Sequence, residues 1–237
     1  MQPKVSFVIP THDCAPFLPH AVSSAKRQSY QNVEIVVVDD CSQDSTAKYL
    51  KWLEKTEPRA KIFISNEHLG RSKARNIGNK LAAGDIILVL DADDYAHPGR
   101  AKLTVEKIKN GTEFVYGSAE IMDCLGKRIG LIQADKFDLN RAMEKKMNFI
   151  VHSTVAYTRR ISEEFPYSDD KEVSDLGIDD WEQQIRIASS GVGMDFIPNV
   201  LTAYRILESG VSRTRDERKV SEAKARILEG IKSAVPV

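Results

Sequence analysis

The residues of this chain best suited to chemistry are Asp91-Ala92-Asp93-Asp94, three carboxylates in four positions directly after the apolar run Ile86-Ile87-Leu88-Val89-Leu90. On extended backbone, residues one and three point the same way, so Asp91 and Asp93 repel each other unless a cation sits among them. Oxygen-only ligands suit Mg²⁺ or Mn²⁺, ions that keep part of their shell for a substrate's phosphates. The cluster reads as a metal-diphosphate site. The other reading is an acidic turn that serves only the dipole of the following helix.

The elements that must position this cluster follow from periodicity. Over residues 1–110, short β-branched runs alternate with longer segments of helical period, the pattern of βαβ units and a parallel sheet covered on both faces. Strands are expected at 4–9, 34–38, 61–65 and 86–90, and helices at 17–28, 46–57, 71–83 and 99–109. Gly84 sits where a helix C-terminal cap wants positive φ, and Pro98 where a first helical turn tolerates a missing N–H. In open α/β sheets ligands bind beyond the carboxyl ends of the strands. Thr11-His12-Asp13, Asp39-Asp40, Asn66-Glu67 and Asp91 to Asp94 all fall there, so one crevice could collect them.

The second half is less regular. Extended segments are expected at 114–122, 128–133, 151–157 and 201–206, with 123–127 as a hairpin connection. A helix that begins near Asp179-Asp180 carries Trp181, Ile185 and Ala188 at helical spacing and ends at Gly191. Residues 216–234 are amphipathic, with Val220, Ala223, Ile227 and Ile231 on one side, and are expected to pack on the body. The organisation is thus a regular βαβ half (1–110), a less regular half of the same domain (111–215) and a C-terminal helix (216–237).

With 34 basic and 34 acidic residues and no long single-sign run, the chain lacks the electrostatic footprint of a nucleic-acid binder. Its longest apolar runs are of strand length, and no signal peptide precedes Val5. The reading is cytoplasmic, with peripheral contact at the inner membrane face left open. Cys14, Cys41 and Cys124 are odd in number and lack ligand spacing, so they are expected to be free thiols.

The ordered set Val-Ile-Pro-Thr (8–11), Val-Val-Asp-Asp-Cys-Ser (37–42), Ala74-Arg75-Asn76, Asp91 to Asp94 and Asp179-Asp180-Trp181-Glu182 resembles the family 2 inverting glycosyltransferases, whose fold is GT-A. The resemblance implies an α/β Rossmann-like sheet and a nucleotide-sugar donor, with UDP the expected nucleotide. It assigns Thr11 and Asp40 to the base, where a carboxylate can accept from uracil N3–H. His12 and Asp13 stand where the family carries an aromatic and Asn, and His12 remains able to stack on the ring. Arg75 is placed along the donor's nucleotide, with a surface helix arginine paired to a neighbouring acid as the other reading. Lys73 and Arg71 are weaker candidates on other helical bearings.

The resemblance also makes Asp93 the direct ligand of Mn²⁺ or Mg²⁺ and Asp91 a ribose-side or water-mediated contact. Asp180 becomes the base that takes the acceptor's proton, with Asp179 and Trp181 on the acceptor side. His152 is either a metal ligand or a satisfied strand histidine. The stretch from Tyr204-Arg205 to Arg213, through Ser209-Gly210, is similar to the family's mobile loop, with a surface loop as the alternative. The acceptor is a carbohydrate, lipid-linked or other hydroxyl. No Gln-x-x-Arg-Trp sequence follows the acidic pair, so single transfer is favoured over polymer extrusion. Two other functions were weighed. A sugar-phosphate nucleotidyltransferase would need a glycine-rich loop where Pro10 to Asp13 has none, and a non-catalytic binding module leaves Asp179-Asp180 without a role.

Overall fold

A computed structural model describes residues 2–208 and 210–234. β1 (Val5–Thr11), β2 (Val33–Asp39), β3 (Ala60–Ile64) and β4 (Ile86–Val89) run parallel in the order β3-β2-β1-β4. Because side chains alternate across a strand, Val5, Phe7 and Ile9 enter one buried layer beneath α1 (Leu18–Lys26), α2 (Thr46–Thr56) and α4 (Arg100–Lys109). Val8, Val36 and Val38 enter the opposite layer, beneath α3 (Arg71–Leu81). Burial on both faces is why these strands are apolar throughout rather than alternating.

The sheet continues through β5 (Tyr95–Ala96), β6 (Phe114–Met122), β7 (Arg128–Ile132), β8 (Ala156–Thr158) and β9 (Met194–Arg205). Beyond β4 the order is β8-β6-β9-β5, with β7 paired to β6. β8 is antiparallel to β4 and to β6, whereas β9 is parallel to β6. The result is one mixed nine-stranded sheet. α5 (Leu139–Lys145), α6 (Arg159–Glu164), α7 (Lys171–Asp175), α8 (Asp179–Ser189), α9 (Val211–Thr214) and α10 (Glu217–Ala234) cover the second half. On α10, Val220 and Ala223 pack with Val173, Leu176 and Ile178, and Leu228 packs with Trp181 and Ile185.

Three expectations change. Residues 151–157 do not form a strand: His152–Thr154 is a 3-10 turn and only Ala156–Thr158 is extended. Gly84 is not a positive-φ cap, because α3 ends at Leu81 and Ala82 turns to extended backbone. Glycine is required at 84 for a different reason, since a Cβ there would stand 2.4 Å from Ser6 Oγ and 2.9 Å from the Lys4 carbonyl. Pro98 precedes α4, whose N-cap is Gly99. Among the described residues, no helix is long and apolar enough to cross a membrane.

One buried cation joins the two halves of the sheet beneath the acidic cluster. Arg100, fully buried, donates from Nη2 to the carbonyls of Val89 (2.6 Å) and Val155 (3.0 Å) and from Nη1 to Thr202 (3.3 Å). It thereby ties the end of β4 to β9.

Candidate active site

The turn that follows β4 carries the acidic cluster. Asp94 N–H donates to the Asp91 carbonyl at 3.1 Å, and Asp91 N–H donates to Ser153 Oγ at 3.0 Å. Asp94 is 1% exposed; one carboxylate oxygen accepts from Arg205 N–H at 2.8 Å and the other has no partner. Burial opposes ionisation of Asp91, but the Arg75 guanidinium outweighs it and holds the carboxyl at about 2. Burial and then Asp91 push Asp93 up to about 6, and burial with both neighbours pushes Asp94 well above the carboxylate range. The burial and mutual repulsion of these carboxyls are what a hard divalent cation would relieve, with Asp93 and Asp91 as the groups that would hold it.

His152 lines the same cleft. Its Nε2 shares a 3.0 Å hydrogen bond with the Tyr167 hydroxyl, while buried Nδ1 has no partner. Burial, then the charge of Arg75, lowers its pKa well below the usual value and keeps the ring neutral.

At the other end, Thr11, His12 and Asp40 come together with His68, which the sequence reading did not single out. His12 Nδ1 donates to the Asp40 carbonyl at 2.6 Å, and the two imidazole rings lie 4.8 Å apart. The Asp40 carboxylate is already engaged: it accepts from the amides of Leu69 (2.5 Å) and Gly70 (3.0 Å), with His68 Nδ1 at 3.1 Å. It therefore shapes the entry to α3, and a carboxylate's remaining lone pairs are what it offers a base. Thr11 Oγ1 is buried and unpaired.

Arg75 is paired to acids, but as a buried residue of α3 rather than a surface one, and it lines the cleft at the same time. It is 5% exposed, donates from Nη2 to Asp91 at 2.9 Å and from Nη1 to Asp179, and lies 5.4 Å from the Tyr167 ring centroid. This guanidinium joins the two acidic motifs to each other. Arg71 stands four residues earlier, on the same helix face, so the expectation of a different bearing was mistaken. It lines the cleft, acts electrostatically on Asp91, Asp93, Asp180 and His152, and among the described residues has no carboxylate within ion-pair distance.

Asp180 opens α8. Its Oδ1 accepts from Trp181 N–H and its Oδ2 from Asn148 Nδ2, both at 2.7 Å. Asn148 Oδ1 in turn accepts from Ile150 N–H at 3.0 Å, which fixes the amide so that its donor faces Asp180. No periodic signal marks Asn148 in the sequence. Burial and then Asp179 raise Asp180 to about 6. A carboxylate so tuned is a competent base near neutral pH.

A cleft of about 1430 Å³ gathers Thr11, His12, Asp40, Arg75, Asp91, Asp93, Asp180 and Trp181, and also takes in Arg71, Asn148, His152, Arg213 and Lys224. Asp179 is completely buried behind it. Tyr204, Arg205 and Gly210 of the proposed mobile loop also line it; Ser209 lies outside the described residues.

A mixed sheet whose parallel half ends in a nucleotide-sized cleft with a carboxylate cluster defines the GT-A class, and solved structures agree. TarS 1–349 of S. aureus in complex with UDP superposes with a TM-score of 0.74 at 16% identity, covering 99% of this chain and 67% of that one. A mannosyltransferase of Pyrobaculum calidifontis, solved with GDP-Man and Mn2+, gives 0.68 at 16% identity, covering 100% and 77%. The profile of Glycosyl transferase family 2 matches residues 6–165, and the chain belongs to that family. Among curated relatives, a Campylobacter jejuni GalNAc(5)-diNAcBac-PP-undecaprenol beta-1,3-glucosyltransferase is 32% identical over 120 residues, 50% of this chain and 39% of its own length. The Escherichia coli UDP-Glc:alpha-D-GlcNAc-diphosphoundecaprenol beta-1,3-glucosyltransferase WfgD is also 32% identical over 120 residues, 50% and 47%. The match thus spans about half or less of these relatives.

Proposed function

We propose that the protein transfers a sugar from a nucleoside diphosphate sugar, with UDP the favoured nucleotide, to an acceptor hydroxyl in one displacement with inversion. The observation that carries this reading is the common cleft of Asp93 and Asp180, the first beside the acidic cluster and the second at the start of α8. Thr11, His12 and Asp40 hold the base end. Asp91 and Asp93 would hold a divalent cation, which when bound would supply charge neutralisation for the diphosphate leaving group.

Asp180 accepts the acceptor's proton as that oxygen bonds to the anomeric carbon. The bond from the anomeric carbon to the diphosphate oxygen breaks, and its electron pair leaves with the nucleotide. Because the hydroxyl's pKa lies far above that of a carboxylate, proton transfer must accompany attack. Asn148 and the Trp181 N–H each hold one Asp180 oxygen in place, and a carboxylate's remaining lone pairs are left for the acceptor's proton. Arg75 holds Asp179 and Asp91 together, and Arg71, which lines the cleft without a carboxylate partner among the described residues, is placed to meet the donor's oxygens.

The activities of the Campylobacter and Escherichia relatives favour a lipid-linked acceptor. On that reading the protein works in glycoconjugate biosynthesis at a membrane surface. The test is release of nucleoside diphosphate from a panel of UDP-, GDP- and TDP-sugars with Mn²⁺, with and without acceptor, followed by the anomeric configuration of the product. Release of pyrophosphate from UTP and a sugar phosphate instead would replace this reading with a nucleotidyltransferase.

A further inference from the structure

α10 places an ammonium group inside the cleft. Lys224 is 5% exposed, and its Nζ donates to the Lys146 carbonyl at 2.8 Å and sits 4.8 Å from the Trp181 ring centroid. An ammonium has three donors, and only one is used here. Among the described residues, no carboxylate lies within ion-pair distance of it, and the buried Trp181 indole N–H beneath it has no acceptor either. Lys145 and Lys146 line the same stretch of wall and are equally without ion pairs. A buried cation without a counter-charge is costly, because it has given up its water without recovering the loss from a partner. The charges that act on Lys224 are those of Arg215, Asp180 and Glu217, not those of the Asp91 to Asp94 cluster. It therefore belongs to the Asp180 end of the cleft.

We propose that the acceptor carries an anionic group, phosphate or carboxylate, beside the hydroxyl that attacks, and that Lys224 binds this group with Lys145 and Lys146. The proposal rests on the transferase reading, since it takes the Asp180 end as the acceptor's. It gives α10 a part in the site as well as in packing. A neutral sugar in this position would leave the ammonium buried beside apolar carbon, whereas a phosphate or carboxylate oxygen would use its idle donors and return its charge balance.

Trp181 reports on the test because Lys224 lies against its ring. In a Trp52→Phe background, with Mn²⁺ and UDP or GDP filling the donor end, glucose 1-phosphate, glucuronic acid and methyl glucoside are titrated against Trp181 fluorescence. Saturable change is expected with one or both charged probes and not with methyl glucoside; the two charged arms separate phosphate from carboxylate. Lys224→Met should weaken that binding about ten-fold or more, the loss of a charge-assisted contact, and Lys224→Arg should restore most of it. Because Lys224 also supports the end of α5, Lys224→Gln, which keeps a donor for the Lys146 carbonyl, is measured beside it. Equal response to all three probes, no response to any, or unchanged affinity in Lys224→Gln would overturn the proposal. A wild-type protein that shows no metal-dependent binding of either nucleotide would overturn the transferase reading instead.

Discussion

The two ends of the cleft are built by different means. At the donor end, Thr11, Asp40 and Asp91 hang from consecutive parallel strands, each at or just beyond a carboxyl edge, and the sheet itself sets their spacing. At the proposed acceptor end, Asn148, Asp180 and Lys224 come from a loop, a helix start and the last helix, and hydrogen bonds to their neighbours set their spacing. The donor end is therefore rigid by construction, whereas the acceptor end is only as rigid as its hydrogen bonds. Change of acceptor is cheap in such an arrangement, and change of nucleotide is not.

The largest expected effect separates the two ends outright. Asp180→Asn should lower transfer about 10³-fold while donor affinity measured by calorimetry stays within about two-fold, because a general base contributes on this scale and lies outside the donor's contacts. Loss of donor binding in that variant would show that the ends are not independent. The mirror experiment is Asp93→Ala, which should reduce donor affinity in Mn²⁺ to its metal-free level.

Arg75→Ala attacks the link between the ends. It leaves Asp179 and Asp91 facing each other without the guanidinium that pairs them, and removal of one partner from such a buried pair costs about 3–5 kcal/mol, read as a lower Tm. Arg71→Ala should leave Tm unchanged within a degree or two and weaken donor binding about ten-fold. If the two variants exchange phenotypes, Arg75 is the donor's arginine after all.

The smallest effect is in pH. Asp180 has its pKa raised to about 6 from an ordinary 3.8, so the folded state holds this proton more tightly than the unfolded chain. Transfer should fall as pH drops below about 6. The stability that the protonated form contributes is present below the unfolded value and is lost as pH rises through about 6. Asp180→Asn removes that dependence, so its Tm advantage over wild type should grow from pH 4 to pH 7, as thermal unfolding across that range will show.

The same contrast explains what could be read from the sequence. β1 to β4, α1 to α4 and the second-half strand 114–122 were legible because they are long enough to display a period, and strand-end carboxylates are conspicuous beside apolar runs. Asp180 was found because an acidic pair at a helix start is a local signal. α5, α6 and α7 have seven, six and five residues, too few for a period to declare itself. Asn148 and Lys224 matter only through partners 32 and 78 positions away, a relation that no local pattern carries. Arg75 was singled out by its motif, but its pairs with Asp91 and Asp179, 16 and 104 positions away, come from packing, and Arg71 on the same face of α3 lines the cleft beside it.

The entry to α3 is fastened by the Asp40 carboxylate through the amides of Leu69 and Gly70, and Arg75 fastens the same helix to Asp179 a little over one turn further on. Five residues of helix span only about 7.5 Å, and a helix that short does not bend. On the proposed function, a shift of residues 68–70 on nucleobase binding would reach Asp179, the neighbour of Asp180, through this short rigid strut.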